Sequence, residues 1–331
     1  MKKFNLVLVL TSLVVGGGIT WGIEQYANHG FKSDEEASCL YEIKTNNGFQ
    51  FIKPLQFVDA VCEKTDYLEL KTQLTNTIDS LKETGAIQTA SLYLREFEEG
   101  GWISIYPENH YHPGSLLKLG ALFNILKIAE KDSTIFRKKL IFQKTSEKIP
   151  TQTYSNKTLV EGESYNVATL LEYMIAYSDN YATSLLHSLM NFNQYLQTFS
   201  QLNLPEPNGS DPNYSVTAAN FSNFFKVLYN GTFLSPAMSE KAIEILMMCD
   251  FDQGMKAGLP PGTKIAHKFG EWGNREGNHE LHEMGIIYLG SKPYLLTIMT
   301  SGKEVEKLKP TLSILTRQTH HFLRNLSRKG I

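Results

Sequence analysis

Residues 112–129 read HPGSLLKLGALFNILKIA, and the rest of the chain is organised around them. His112-Pro113-Gly114 interrupts the element that precedes it. From Ser115 onward the segment is apolar at Leu116, Leu117, Leu119, Ala121, Leu122, Phe123, Ile125, Leu126 and Ile128. A helix that is apolar nearly all round is buried in the middle of a domain. At its start Ser115 and Lys118 stand three apart, so one helix face presents both side chains. Burial disfavours the charged form of lysine and lowers its pKa. A neutral lysine accepts a serine proton and makes the hydroxyl a nucleophile. The N–H groups of a helix N-terminus favour the negative charge that develops there. Serine and lysine are common residues, so this pair acquires meaning only with support from elsewhere in the chain.

Upstream, Tyr67 to Leu81 carries Leu68, Leu70, Leu74, Ile78 and Leu81 at helical spacing. Ala90 to Arg95 and Trp102 to Tyr106 read as two strands around a Glu98-Glu99-Gly100-Gly101 turn. Downstream, helical patterns are expected near 167–177, 181–199, 217–229 and 239–248. Strands are expected at Lys264 to Phe269, His282 to Leu289 and Tyr294 to Thr300, before a closing helix over 304–326. Strands, then a helical block, then strands and a helix predict an α/β (α+β) fold. Its helical domain is inserted beside an antiparallel sheet, flanked by helices, that both chain ends build. The α/β lobe is expected in 61–110 and 250–331, the helical lobe in 111–249, and a linker or extension in 26–60.

Two further segments join the first. Ser178-Asp179-Asn180 lies between two helical stretches, where capping alone would account for the Asp and Asn. Lys268-Phe269-Gly270 lies on a late strand, where a snorkelling lysine would be ordinary. Each is weak alone. Their order, on a helix start, an inter-helix turn and a strand, is the pattern of penicillin-recognising serine enzymes. From about Leu68 to the last helix the sequence resembles the class A β-lactamases and the related penicillin-binding D-alanyl-D-alanine peptidases. The resemblance extends to Glu280-Leu281-His282-Glu283-Met284-Gly285-Ile286-Ile287-Tyr288 and Pro293-Tyr294-Leu295-Leu296.

The resemblance implies a serine hydrolase that forms an acyl-Ser115 intermediate on β-lactams or peptidoglycan-like acyl amides. Lys118 would be the general base. Ser178, with Lys268 beside it, would relay a proton to the leaving nitrogen. Asn180 would hold the substrate's amide side chain and help position Lys118. The backbone N–H groups of Ser115 and Glu271 would form the oxyanion hole, and Gly270 would let substrate lie against the strand. Asp179 would be a structural hydrogen-bonding residue. The alternatives are a D-alanyl-D-alanine peptidase with poor deacylation and a non-catalytic wall-binding protein.

Two departures from the family pattern bear on that choice. The residue between Lys268 and Gly270 is usually Thr or Ser, whose hydroxyl binds the substrate carboxylate; Phe269 cannot, and Arg275, His282 or Lys268 would have to replace it. Class A enzymes also carry a glutamate after the second motif that activates the deacylating water. Here the next helix is expected near Thr217, only 37 residues after Asn180, a loop shorter by roughly a dozen residues than the family pattern. Its Glu206 is the one candidate base, although a surface loop position is the simpler expectation.

Composition sets the surroundings. The 331 residues include 32 basic and 34 acidic side chains, a net charge of −2, with no basic excess to suggest nucleic acid. No CxxC occurs, and the histidine pairs lack completing ligands, so neither a metal nor another cofactor is expected. Lys2 and Lys3 precede Phe4 to Ile23, 20 residues without a charge. That run is long enough for a membrane anchor, or it begins a signal peptide, within residues 1–25. Either way the remainder is expected to be exported, as a monomer that acts on small molecules or cell-wall peptides. Export permits a disulfide, with Cys39 and Cys62 the natural pair and two buried free thiols the alternative.

Overall fold

The computed structural model describes residues 39–45, 51–144, 154, 157–208, 211, 213–273 and 277–328. The strand-forming sequences at the two ends of the chain meet in one sheet. After a hairpin of β1 (Tyr41–Thr45) and β2 (Leu55–Ala60) come α1 (Leu68–Glu83), β3 (Thr89–Glu96) and β4 (Trp102–Ile105). The helical block holds α2 (Lys118–Lys131), a ribbon of β5 (Lys139–Ile141) and β6 (Ser164–Asn166), α3 (Val167–Ala176), α4 (Asn180–His187) and α5 (Phe192–Gln201). It continues with α6 (Ala218–Phe221), α7 (Asn223–Tyr229) and α8 (Pro236–Leu246). The chain then returns through β7 (Ile265–Gly273), β8 (His279–Ile287), β9 (Tyr294–Gly302) and α9 (Val305–Arg328).

The five-stranded sheet has the order β4-β3-β9-β8-β7, every neighbouring pair antiparallel. Both of its faces are covered. Ala266, Met284, Leu295 and Met299 pack with Leu122, Phe123 and the other apolar side chains of the helical block. Ile265, Phe269, Leu296 and Ile298 pack with Leu74, Leu312 and Leu315 of α1 and α9. This double coverage explains why Tyr294 to Met299 reads as a nearly continuous apolar run, since a strand buried on both faces has no polar side to alternate. The strand order leaves β4 and β7 as the sheet's edges, with β7 beside the Ser115 turn.

The structure differs from the sequence reading at several places, among them the helix expected over 217–229, which is divided at Ser222 into α6 and α7. Ser115 sits in a 3₁₀ turn, Gly114–Leu117, and the α-helix begins only at Lys118. The helix expected over 181–199 is two helices, because the Asn191 side chain accepts the Gln194 N–H at 3.2 Å and starts a new one. Residues 41–60, expected within a linker, form the β1–β2 hairpin of a compact unit that runs from Tyr41. The hairpin is held by Trp102 Nε1–H donating to the Ala60 carbonyl at 2.7 Å, and by Asp59, which pairs with Arg95 and, at 2.8 Å, with Lys226. Its apolar Tyr41, Ile43, Leu55 and Val58 are exposed, while the adjacent Gln56 and Phe57 are both buried. Burial therefore does not follow the alternation of apolar residues, and periodicity does not reveal the hairpin.

Cys39 and Cys62 are disulfide-bonded, and Cys249 is free and buried. Among the described residues no helix is long and apolar enough to cross a membrane. The N-terminal run and Arg275 lie outside the described residues.

Candidate active site

Two glycines bring β7 against the turn that carries Ser115. A Cβ on Gly114, whose φ is +54°, would lie 2.2 Å from the Glu271 carbonyl oxygen. A Cβ on Gly270 would lie 2.5 Å from the Pro113 oxygen and 2.9 Å from the Leu116 nitrogen. No side chain fits at either point, so the sheet edge and the 3₁₀ turn meet backbone to backbone. The space beside Gly270 is thus taken by the protein's own chain at Pro113 and Leu116, rather than kept open for a substrate. The turn is fixed further by His112, whose Nδ1 accepts the Gly114 N–H at 3.1 Å. The His112 ring stacks on Trp272 at 4.9 Å, and burial holds its pKa below the ordinary value.

Ser115, Lys118, Asn180 and Glu271 line one cavity of about 610 Å³. Its opposite wall is Thr183, His187 and Tyr195. Sequence reading had not singled out this wall, yet Asn180, Thr183 and His187 fall at i, i+3 and i+7 of α4, the spacing of one helix face. Burial, then the neighbouring Lys118, lowers the His187 pKa.

Lys118 is buried. Its Nζ donates to the Ser178 carbonyl oxygen and lies 3.0 Å from Ser178 Oγ. Desolvation, and next the charge of Lys268, push its pKa well below that of a free lysine. Ser178 is fully buried at a φ of +55°, a left-handed conformation that costs a non-glycine residue about 1–3 kcal/mol. Asp179, beside it, holds the bend: Oδ1 accepts the Ala182 N–H at 2.7 Å and caps α4, while Oδ2 accepts from Thr158 and from the Leu159 N–H. The motif therefore spends its Asp on local geometry and presents Ser178 to Lys118 and Asn180 to the cavity.

Lys268 does not line the cavity. It is buried on β7, its Nζ donates to the Phe269 carbonyl at 2.8 Å, and burial lowers its pKa to about 8. Phe269 points into the core beneath the sheet, stacked on Phe251 at 4.6 Å and edge-on to Tyr154. His282 is placed where it cannot take over the missing hydroxyl. It is fully buried, its Nδ1 accepts the Thr300 N–H at 3.2 Å, and its Nε2 faces the His112 carbonyl oxygen at 3.1 Å. Glu206 is also apart from the cavity: it is exposed and accepts a hydrogen bond from Ser200 Oγ. Glu271 is the only carboxylate among the described residues that line the cavity.

Behind Lys268 lies a buried polar chain with no counterpart in the sequence reading. His267 Nδ1 is 2.6 Å from Glu283 Oε1, and Glu283 Oε2 accepts the Met255 N–H at 2.7 Å. Cys249 acts on the His267 ring electrostatically, and it leads the groups that hold the Lys268 pKa up against desolvation. Among the described residues no group of three or more His, Cys, Asp or Glu side chains is placed to hold a metal ion.

A family model described as "Beta-lactamase enzyme family" matches residues 69–328. No curated protein matches the chain. Among solved structures, a mutant of PBP-A in its acyl-enzyme complex with penicillin G is 18% identical, with a TM-score of 0.64 over 78% of this chain and 97% of that one. The TLA-1 extended-spectrum β-lactamase is 19% identical, with a TM-score of 0.64 over 77% and 99%. A β-lactamase from Xanthomonas campestris pv. campestris is 17% identical, with a TM-score of 0.64 over 77% and 98%. At these identities the structures share the fold; the family match spans most of the sequence.

Proposed function

The chain belongs to the beta-lactamase enzyme family, and from that premise we propose that it is an exported serine acyl-transfer enzyme that forms a long-lived acyl-Ser115 on β-lactams and on peptidoglycan-like acyl amides. The observation that carries the reading is one cavity lined by Ser115, Lys118 and Asn180, with Lys118 buried and 3.0 Å from Ser178 Oγ. In this reading Ser115 Oγ attacks the amide carbonyl while its proton passes to Lys118 Nζ. Lys118 is available as a base because burial favours its neutral form. The oxyanion that forms is met by the Ser115 and Glu271 N–H groups, since the Glu271 backbone faces the same turn. When the C–N bond breaks, Ser178 gives its proton to the leaving nitrogen and recovers one from Lys118, its neighbour. The acyl group then waits on a water that needs a base. With Glu206 on the surface, Glu271 is the only carboxylate among the described residues that line the cavity. This favours a persistent acyl-enzyme, the penicillin-binding alternative, over rapid hydrolysis.

The test is intact-mass spectrometry of the purified protein with a penicillin, alongside turnover of the same penicillin. The expected result is a stoichiometric adduct that persists for many minutes and is absent in Ser115→Ala. Rapid turnover without an adduct would replace this reading with an efficient β-lactamase. An adduct that survives Ser115→Ala would remove Ser115 as nucleophile.

A further inference from the structure

The chain carries a net charge of −2, yet one face of its last helix gathers basic side chains, with no carboxylate among the described residues that line it. Arg317, His320, His321 and Arg324 fall at i, i+3, i+4 and i+7 of α9, the spacing of a single helix face. With residues 257–260 they line a groove of about 260 Å³ that no carboxylate lines. The opposite wall is fixed by Gly258, where a Cβ would lie 2.3 Å from the Ser313 oxygen and 3.1 Å from the Arg317 nitrogen. The 257–260 segment thus packs directly on the helix and gives the groove a rigid side.

The basic side chains of this groove differ from the two lysines at the start of the helix. Lys307 and Lys309 pair with Glu304 and Glu306. Arg317 and Arg324 make no ion pair among the described residues. The Nε of Arg324 is buried with no hydrogen-bond partner, a position that an anion in the groove would satisfy, because a buried donor left unmade is costly. His320 Nδ1 is 3.0 Å from the Tyr294 hydroxyl. Burial first, then the neighbouring Arg324 and His321, hold its pKa below the ordinary histidine value.

We propose that this groove binds a phosphate-bearing ligand, held by Arg317 and Arg324 with His320 and His321 as further donors. Guanidinium groups bind phosphate oxygens through paired N–H donors, and the groove's volume suits a phosphoryl group with a small polyol attached. The site is formed by α9 and the 257–260 segment, away from Ser115, so its occupancy does not depend on the proposed acylation chemistry.

The experiment is titration calorimetry of the full chain at constant ionic strength, with inorganic phosphate and with glycerol phosphate, and sedimentation with vesicles of phosphatidylglycerol or of phosphatidylcholine. Saturable binding of either soluble probe, weakened at least tenfold by Arg317→Gln, is expected and identifies a free phosphoryl ligand. Co-sedimentation with phosphatidylglycerol alone, lost in the same variant, identifies a lipid headgroup as the source. Arg317 is exposed, so this substitution does not threaten folding; Arg324→Lys, which keeps charge but removes the paired donors, is expected to weaken binding by a smaller factor. Absence of saturable binding and of selective sedimentation, or binding equal in wild type and Arg317→Gln, overturns the proposal.

Discussion

On the helical side of Ser115 the groups of the proposed chemistry are side chains; on the sheet side the part given to the chemistry is the Glu271 backbone, although the Glu271, Trp272 and His279 side chains also line the cavity. Lys118 and Asn180 project from helix starts, and Lys118 meets Ser178, a buried left-handed residue beside a capping aspartate. From β7 come the Glu271 backbone and two close approaches that only glycine permits, while Phe269 and His267 are committed to the interior. The difference teaches where the family pattern tolerates change. A position whose side chain serves the core can lose its hydroxyl, as Phe269 has, and the strand still delivers its backbone to the turn.

Three measurements break or sharpen that contrast. The largest effect is expected on the helical side. Lys118→Ala removes the proposed base, and its acylation rate with a penicillin should fall about 10²–10⁴-fold, with thermal unfolding little changed. A fall of less than tenfold would move the base elsewhere. On the sheet side the loss should appear as stability rather than chemistry. Phe269→Ala empties a site stacked on Phe251 and should cost about 3–5 kcal/mol in denaturant unfolding, while acylation per folded molecule stays within tenfold. A selective loss of acylation would show that Phe269 serves the cavity after all.

The smallest effect concerns pH. Acylation should rise with pH as Lys118 becomes neutral, beginning well below the range of a free lysine. It should fall again as Lys268 loses its charge near pH 8. Cys249→Ser removes the leading group that holds the Lys268 pKa up, so the descending limb should move to lower pH. A limb that stays in place in a pH–rate profile would disconnect the Cys249–His267–Glu283 chain from Lys268.

Much of this was legible before any fold was in view. Helix and strand positions followed from periodicity where one face met the core, as in α1, where Leu70, Leu74 and Ile78 are all fully buried. Reading failed where the pattern did not report the environment. The β1–β2 hairpin exposes most of its apolar side chains while burying Gln56 beside Phe57, and the apolar spacing of 181–199 continues across a break that a single asparagine cap imposes. Within the site, Ser115, Lys118 and Asn180 were visible through short-range spacing. The Thr183, His187 and Tyr195 wall was visible only in part, because Tyr195 comes from a different helix.

The sequence by itself determined the order of motifs and the elements that carry them, since helix starts, turns and strands are specified by residues close in the chain. Tertiary structure alone decided which of those residues share a space. The lowered pKa of Lys118 requires burial beside Lys268, 150 positions away. The exclusion of Glu206 from the cavity, and the approach of β7 to the Ser115 turn, likewise depend on packing between distant segments. Desolvation and close contact are properties of a folded interior, and no local stretch of sequence contains them.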